Sequence, residues 1–251
     1  MSETATKKTY SKRSMIFSII SIFVLIPLTL FLGYHLSSRT YYLTSTLVII
    51  EILIPFFLMF ETRKPQAREL VTIAILAALA VIGRVAIPIP NFKAITGIIM
   101  ISGMAFGPQA GFLVGAVAAF AANFFYSQGP WTPWQMLAYG LAGFLAGLVF
   151  CGRDFKFKKS APKHAAVMAV FGFVVVVCII GPLLDVCTIF TAGSVITKEF
   201  AIAIFTSGFP YNIIHGIGTA VTLFIIGRPL LGKLDRIKTK YGMMEASRDG
   251  V

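Results

Sequence analysis

Residues 106–147 read FGPQAGFLVGAVAAFAANFFYSQGPWTPWQMLAYGLAGFLAG, and their reading decides the fold. Two apolar runs, 107–126 and 133–151, flank a short polar connection from Ser127 to Thr132. A helix that crosses a bilayer needs about 20 mostly apolar residues. Unpaired backbone groups are too costly in lipid, so runs of this kind are helices. The even polar/apolar alternation of a membrane barrel is absent. The chain is therefore expected to be an all-α integral membrane protein.

Working outward, the remaining apolar runs are 14–33, 43–60, 69–87, a short one at 95–106, 165–184 and 202–226. They divide the chain into a tail (1–13), two leading spans (14–60), a polar linker (61–68, ETRKPQAR), a six-span core (69–228) and a second tail (229–251). The first run follows Lys7, Lys8, Lys12 and Arg13, as a signal peptide would. It is too long for one and lacks a small-x-small cleavage site, so it is expected to be a retained span.

Composition agrees. Of 251 residues 57% are hydrophobic and only 13% charged, and the mean hydropathy is +0.84. Soluble domains carry about 25% charged residues. The net charge of +12 does not point to nucleic acid, because no basic face with interleaved aromatics is present. Instead the basic residues collect on one side. Of the 22 Lys and Arg residues, all but Arg39, Arg84, Lys93 and Lys198 fall in segments that share a side if the short run is a full crossing. The positive-inside rule then places both termini on the cytoplasmic side of a cell membrane that the chain crosses many times. Cys151, Cys178 and Cys187 have neither metal-ligand nor disulfide spacing.

The outer loops of the core are expected at 88–94 (PIPNFKA), 127–132 (SQGPWT) and 185–201. Here, or just inside the membrane, stand Asn91, Phe92, Asn123, Tyr126, Gln128, Trp131, Trp134, Gln135, Asp185, Tyr211, Asn212 and His215. Aromatic faces cover flat conjugated rings while amides orient polar edges, so this set predicts capture of a small molecule from outside. Each residue also has a plainer reading. Trp131 and Trp134 suit an interfacial aromatic belt. Asn91, Asn123 and Asn212 suit helix caps or interhelical hydrogen bonds, and His215 suits a core position. His215 has no partner at i±3 or i±4 for a metal. Arg84, an expensive cation inside a span, either snorkels, pairs with Asp185 or meets the ligand. Glu51, in the second leading span, is expected to bond another helix or be protonated.

Three features give a resemblance. The first core helix, RELVTIAILAALAVIGR, carries Ala74-x-x-x-Ala78; the block 106–147 looks like a third and fourth helix with their loop; and six helices have both ends inside. Together they resemble the substrate-binding S component of an energy-coupling factor (ECF) vitamin transporter, over about 68–228. Gly111/Gly115 and Gly143/Gly147 share the small-xxx-small spacing and are read as packing faces within the chain.

The resemblance implies a transport subunit rather than an enzyme, with no catalytic residue, resident metal or cofactor. Its partners would be a transmembrane coupling protein bearing two cytoplasmic ATPases, a vitamin, and the lipid bilayer. Ala74 and Ala78 would form the surface that slides on the coupling protein. The chain has no GxxxxGK[ST] phosphate loop and so must borrow ATP hydrolysis. The segment QGPWTPWQ looks like the cobalamin branch; riboflavin and folate are the alternatives. The two leading spans depart from the six-helix pattern. An intramembrane enzyme would need a paired acid/base constellation, which is missing. An autonomous secondary transporter would show inverted repeats or broken helices, and no convincing internal repeat is found.

Overall fold

In a computed structural model, the described residues are 67–87, 89–151, 161–192 and 196–240, with 28, 29, 43, 44, 46–51, 53 and 54 before them. They contain helices and connections and no strand. The helices are α1 (Ala67–Val85), α2 (Ile95–Phe106), α3 (Pro108–Tyr126), α4 (Trp131–Phe150), α5 (Ala161–Val175), α6 (Gly181–Thr191) and α7 (Lys198–Lys240). A π-helical turn, Val176–Ile180, joins α5 to α6 in one rod. Among the described residues four helices are long and apolar enough to cross a membrane: Pro108–Tyr126, Trp131–Phe150, Lys163–Thr191 and Lys198–Lys240. In α1 the apolar stretch lies between Arg68 and Glu69 at one end and Arg84 at the other.

Glycine sets the spacing of the central three helices. Gly107 has φ +94°, a conformation L side chains rarely adopt, and it turns α2 directly into α3. Gly103 and Gly111, each four residues from that turn, face each other, so α2 and α3 form a hairpin. A Cβ on Gly143 would fall on the Gly111 carbonyl, and one on Gly115 on the Tyr139 carbonyl. These are the two small-xxx-small pairs, and they do pack inside the chain. With no side chain between them the backbones meet directly, which is how helices associate in lipid.

The short α2 is buried on nearly every side. Its 12 residues span only about 18 Å at 1.5 Å per residue. The backbone just before it packs into the bundle. The Lys93 backbone nitrogen would sit 3.0 Å from a Cβ on Gly218, well along α7, and the Ala94 N–H donates to the Gly83 carbonyl at 3.1 Å. Residues 92–94 are thus not part of a purely external loop, whereas Ile89, Pro90 and Asn91 are exposed. Irregular backbone at such depth is tolerated where protein surrounds it.

Two helices outrun their expected ends. The rod expected to stop at 184 continues to Thr191, which places Asp185 inside a helix and leaves only a short connection before Lys198. Asn212 satisfies the Asp185 carboxylate, so the charge does not mark a helix end. The last helix passes Gly227 and runs to Lys240. Its 43 residues extend about 64 Å, twice a hydrocarbon core of about 30 Å. Lys238 Nζ donates to the Ala105 carbonyl at 2.9 Å, where the end of α2 favours a cation.

Most of the first leading span (14–33) and of the linker (61–68) lies outside the described residues. In the second leading span Ile49 and Leu53 are buried against Phe112, Ala116, Trp134, Leu137 and Cys187. Glu51 does bond another segment, accepting from the Thr29 hydroxyl at 2.6 Å.

A methyl added at Gly232 in α7 would meet nothing within 4 Å. Gly232→Ala is therefore expected to stabilise the protein by about 0.5–1 kcal/mol through reduced chain entropy, read as a small rise in melting temperature. A fall would mean that something covers this face.

Candidate functional site

Arg84 is the point where polar groups from three helices meet. It stands in the last turn of α1, where the helix dipole favours a cation. Its Nη1 donates to Asn123 Oδ1 at 3.3 Å and to Gln135 Oε1 at 3.4 Å. Its guanidinium carbon is 4.8 Å from the Tyr126 ring centre and 5.9 Å from that of Tyr139, within cation–π reach. The Tyr126 hydroxyl donates to the Arg84 carbonyl at 3.1 Å, one of the carbonyls a helix end leaves open. The expected alternative of an Arg84–Asp185 pair is not formed. Asp185 instead accepts from Asn212 Nδ2 at 2.8 Å.

A relay behind Arg84 orients its partners. Asn123, fully buried, donates through Nδ2 to Thr132 Oγ1 at 3.1 Å. The Thr132 hydroxyl donates to Gln128 Oε1 at 2.9 Å and accepts the Gly129 N–H at 3.2 Å. Gln128 Nε2 then donates to the Phe120 carbonyl at 3.0 Å. With its nitrogen held by Thr132, the Asn123 amide keeps its oxygen on Arg84. An open, mostly apolar hollow of about 440 Å³ borders this relay at Gln128, Gly129 and Thr132, walled by Phe120, Met136 and by Ile50 and Leu53 of the second leading span; Arg84, Asn123, Tyr126 and Gln135 do not line it.

Tyr139 carries the cluster inward. Its ring centre is 6.1 Å from that of His215, edge to face. His215 is buried, and its Nε2 shares a hydrogen with Thr96 Oγ1 at 2.7 Å. One turn earlier on α7 comes Asn212 with Asp185. Polar groups thus run from Arg84 past Tyr139 to His215 and its neighbours. Among the described residues no three His, Cys, Asp or Glu side chains converge as a metal site would require.

A family model described as the ECF-type riboflavin transporter, S component, matches residues 64–236. The chain belongs to this family. No curated protein matches, and no solved structure does. An S component is the substrate-binding subunit of an ECF transporter, a multi-pass membrane assembly. It works with a transmembrane and an ATPase module on a small vitamin, so this chain is a transport subunit.

Within the S component, Arg84, Asn123, Tyr126, Gln128 and Gln135 form one cluster, with His215 beyond Tyr139. The others lie apart from it. Asn91 is exposed in a turn at φ +57°, and Phe92 is half-buried with its backbone against Gly218. Trp131 sits at the rim, its Nε1 donating to the Ser127 carbonyl at 3.3 Å. Tyr211 is exposed on α7. Trp134 is buried, its ring stacked on Phe190 with centres 5.9 Å apart, and its indole N–H has no partner among the described residues. Ala74 and Ala78 are both exposed, on the side of α1 opposite its buried Ile73, Leu76, Ala77, Ala80 and Val81.

Thr96, Thr132 and Tyr139 belong to the cluster although sequence reasoning does not single them out. Tyr139 could have been found, because it lies one turn after Gln135 and so shares its face. Nothing local marks Thr96, which is one hydroxyl in an apolar helix.

Proposed function

We propose that this S component captures a heterocyclic vitamin from outside, at the Arg84 end of the bundle, and passes it inward through a coupling protein driven by two cytoplasmic ATPases. The observation that carries this reading is the convergence of Arg84, Asn123, Gln135 and Tyr126, backed by His215, in a chain of this family. Amides and a guanidinium would orient the polar edge of a ligand and tyrosine rings would cover its flat face. The family's description puts riboflavin forward as the vitamin, the segment QGPWTPWQ puts cobalamin beside it, and folate completes the set. Asn91, Phe92, Trp131, Trp134, Asp185, Tyr211 and Asn212 would contribute as the bundle opens to admit the ligand. Ala74 and Ala78 would form the docking surface.

The experiment is to purify the chain, denature it, and record the absorption and mass spectra of what is released. A flavin, corrinoid or pterin establishes the function and names the vitamin. An empty protein that binds none of these on incubation removes the reading.

Trp134→Phe separates two roles of one side chain. It keeps an aromatic ring for the stack on Phe190 while removing the N–H together with part of the indole's volume, so a thermal melt of the variant is read beside its affinity. A tenfold loss of vitamin affinity, about 1.4 kcal/mol, is expected if that N–H meets the ligand. Unchanged affinity assigns Trp134 to packing alone.

A further inference from the structure

We infer that the ligand of this site carries a negatively charged group, a carboxylate or phosphate, and that Arg84 and Lys93 bind it. The inference rests on the proposed vitamin site and narrows its substrate class.

Arg84 is permanently charged, since guanidinium does not lose its proton in proteins. A cation inside a span is normally neutralised by a partner or carried out to the interface by its long side chain. Arg84 has no charged partner among the described residues. Its side chain reaches fully buried Asn123 and half-buried Gln135. Its protein partners are amide oxygens and tyrosine rings, which are neutral dipoles and quadrupoles. Among the described residues no carboxylate forms an ion pair with it, and Asp185 is turned to Asn212 instead. The α1 dipole supplies only a partial opposing charge, about half a unit.

The geometry of the fork adds to this. Both protein hydrogen bonds come from Nη1 and are long, at 3.3 and 3.4 Å. Nε and Nη2 have no acceptor among the described residues. Those two nitrogens present the parallel pair of donors that carboxylates and phosphates accept. The Tyr126 and Tyr139 rings lie 4.8 and 5.9 Å from the guanidinium carbon.

A second cation lies near the same ring. Lys93 Nζ is 5.9 Å from the Tyr126 ring centre and, among the described residues, donates only to the Ile87 carbonyl, at 3.1 Å. Two positive charges around one tyrosine, with no carboxylate bonded to either among the described residues, leave a net positive charge that an anionic group would offset. Of the candidate vitamins, folate has carboxylates and cobalamin a phosphodiester, while riboflavin is uncharged. The charge pattern therefore favours the first two.

The test measures binding by the purified full chain in phosphatidylcholine nanodiscs, with riboflavin, flavin mononucleotide, folate, cobalamin, biotin and nicotinate as probes. The tightest probe is expected to be anionic. Arg84→Gln should weaken it at least 100-fold and Lys93→Gln about tenfold, with Arg84→Lys in between. Should Arg84→Gln fail to fold, Arg84→Lys and Lys93→Gln decide the matter. Tight riboflavin binding indifferent to these substitutions overturns the inference and leaves the vitamin-binding function standing. An anionic probe whose affinity none of the variants changes also overturns it. If the wild type binds no probe, the function reading fails and the inference with it. A lipid source is tested by adding phosphatidylglycerol. If that lipid co-purifies with wild type but not Arg84→Gln, while probe affinities stay equal, the anion is a headgroup and the inference falls.

Discussion

Ala74→Trp, and equally Ala78→Trp, is expected to abolish vitamin uptake while leaving vitamin affinity within about twofold of wild type. The two alanines lie on the exposed side of α1, among Val71, Ile75, Leu79 and Ile82, while Ile73, Leu76, Ala77 and Ala80 hold the helix to the bundle. A tryptophan there would project away from the core, so it creates no internal clash. Ala74 also lies about 15 Å along the axis from Arg84 at 1.5 Å per residue, too far to disturb the binding cluster directly. What the substitution destroys is a smooth strip on which another helix can approach closely. Uptake measured in cells that supply the coupling module, beside binding measured on the purified chain, separates the two effects. If binding collapses together with uptake, this face of α1 packs inside the folded protein and the docking role is lost. If uptake persists, the coupling protein approaches from elsewhere.

Gly143→Leu is expected to eliminate folded protein altogether, and Gly143→Ala to lower its melting temperature sharply. At Gly143 a Cβ would fall on the Gly111 carbonyl, with Ile99 Cγ2 at 2.9 Å on another side. Gly103 and Gly111 meet the Gly143 carbonyl in turn, so α2, α3 and α4 share one backbone-to-backbone contact. Flexible side chains can yield to an added methyl; peptide carbonyls can move only if whole helices separate. Overpacking a core costs about 1–3 kcal/mol even where side chains adjust, against a total stability of about 5–15 kcal/mol. Helix separation would also pull apart the Arg84, Asn123 and Gln135 groups. Size-exclusion profiles and thermal melts of the two variants, with Gly232→Ala as the unobstructed control, test this. A Gly143→Ala protein that melts with wild type would show the three helices to be further apart than the structure places them.

Much of this protein was written in local sequence. Among the described residues, helix order in the core followed from run length and from where charges interrupt the runs, because the cost of burying charge or unpaired backbone in lipid is incurred residue by residue. Arg84 and Glu51 stood out for the same reason. Asn123, Tyr126, Gln128 and Gln135 were legible as polar groups near one set of helix ends. Tertiary structure alone decided their partners. Arg84 took Asn123 and Gln135 in place of Asp185, and the backbone of Phe92 and Lys93 came in against α7 because Gly218 leaves room for it. The neighbours Trp134 and Gln135 differ by about a 100° turn of one helix, and that turn sent one into packing against Phe190 and the other to Arg84. A helix that is apolar all round has no contrasting face for periodicity to report. Its rotation, and with it the composition of the site, is set by which backbones can come close, which is a property of the assembled bundle.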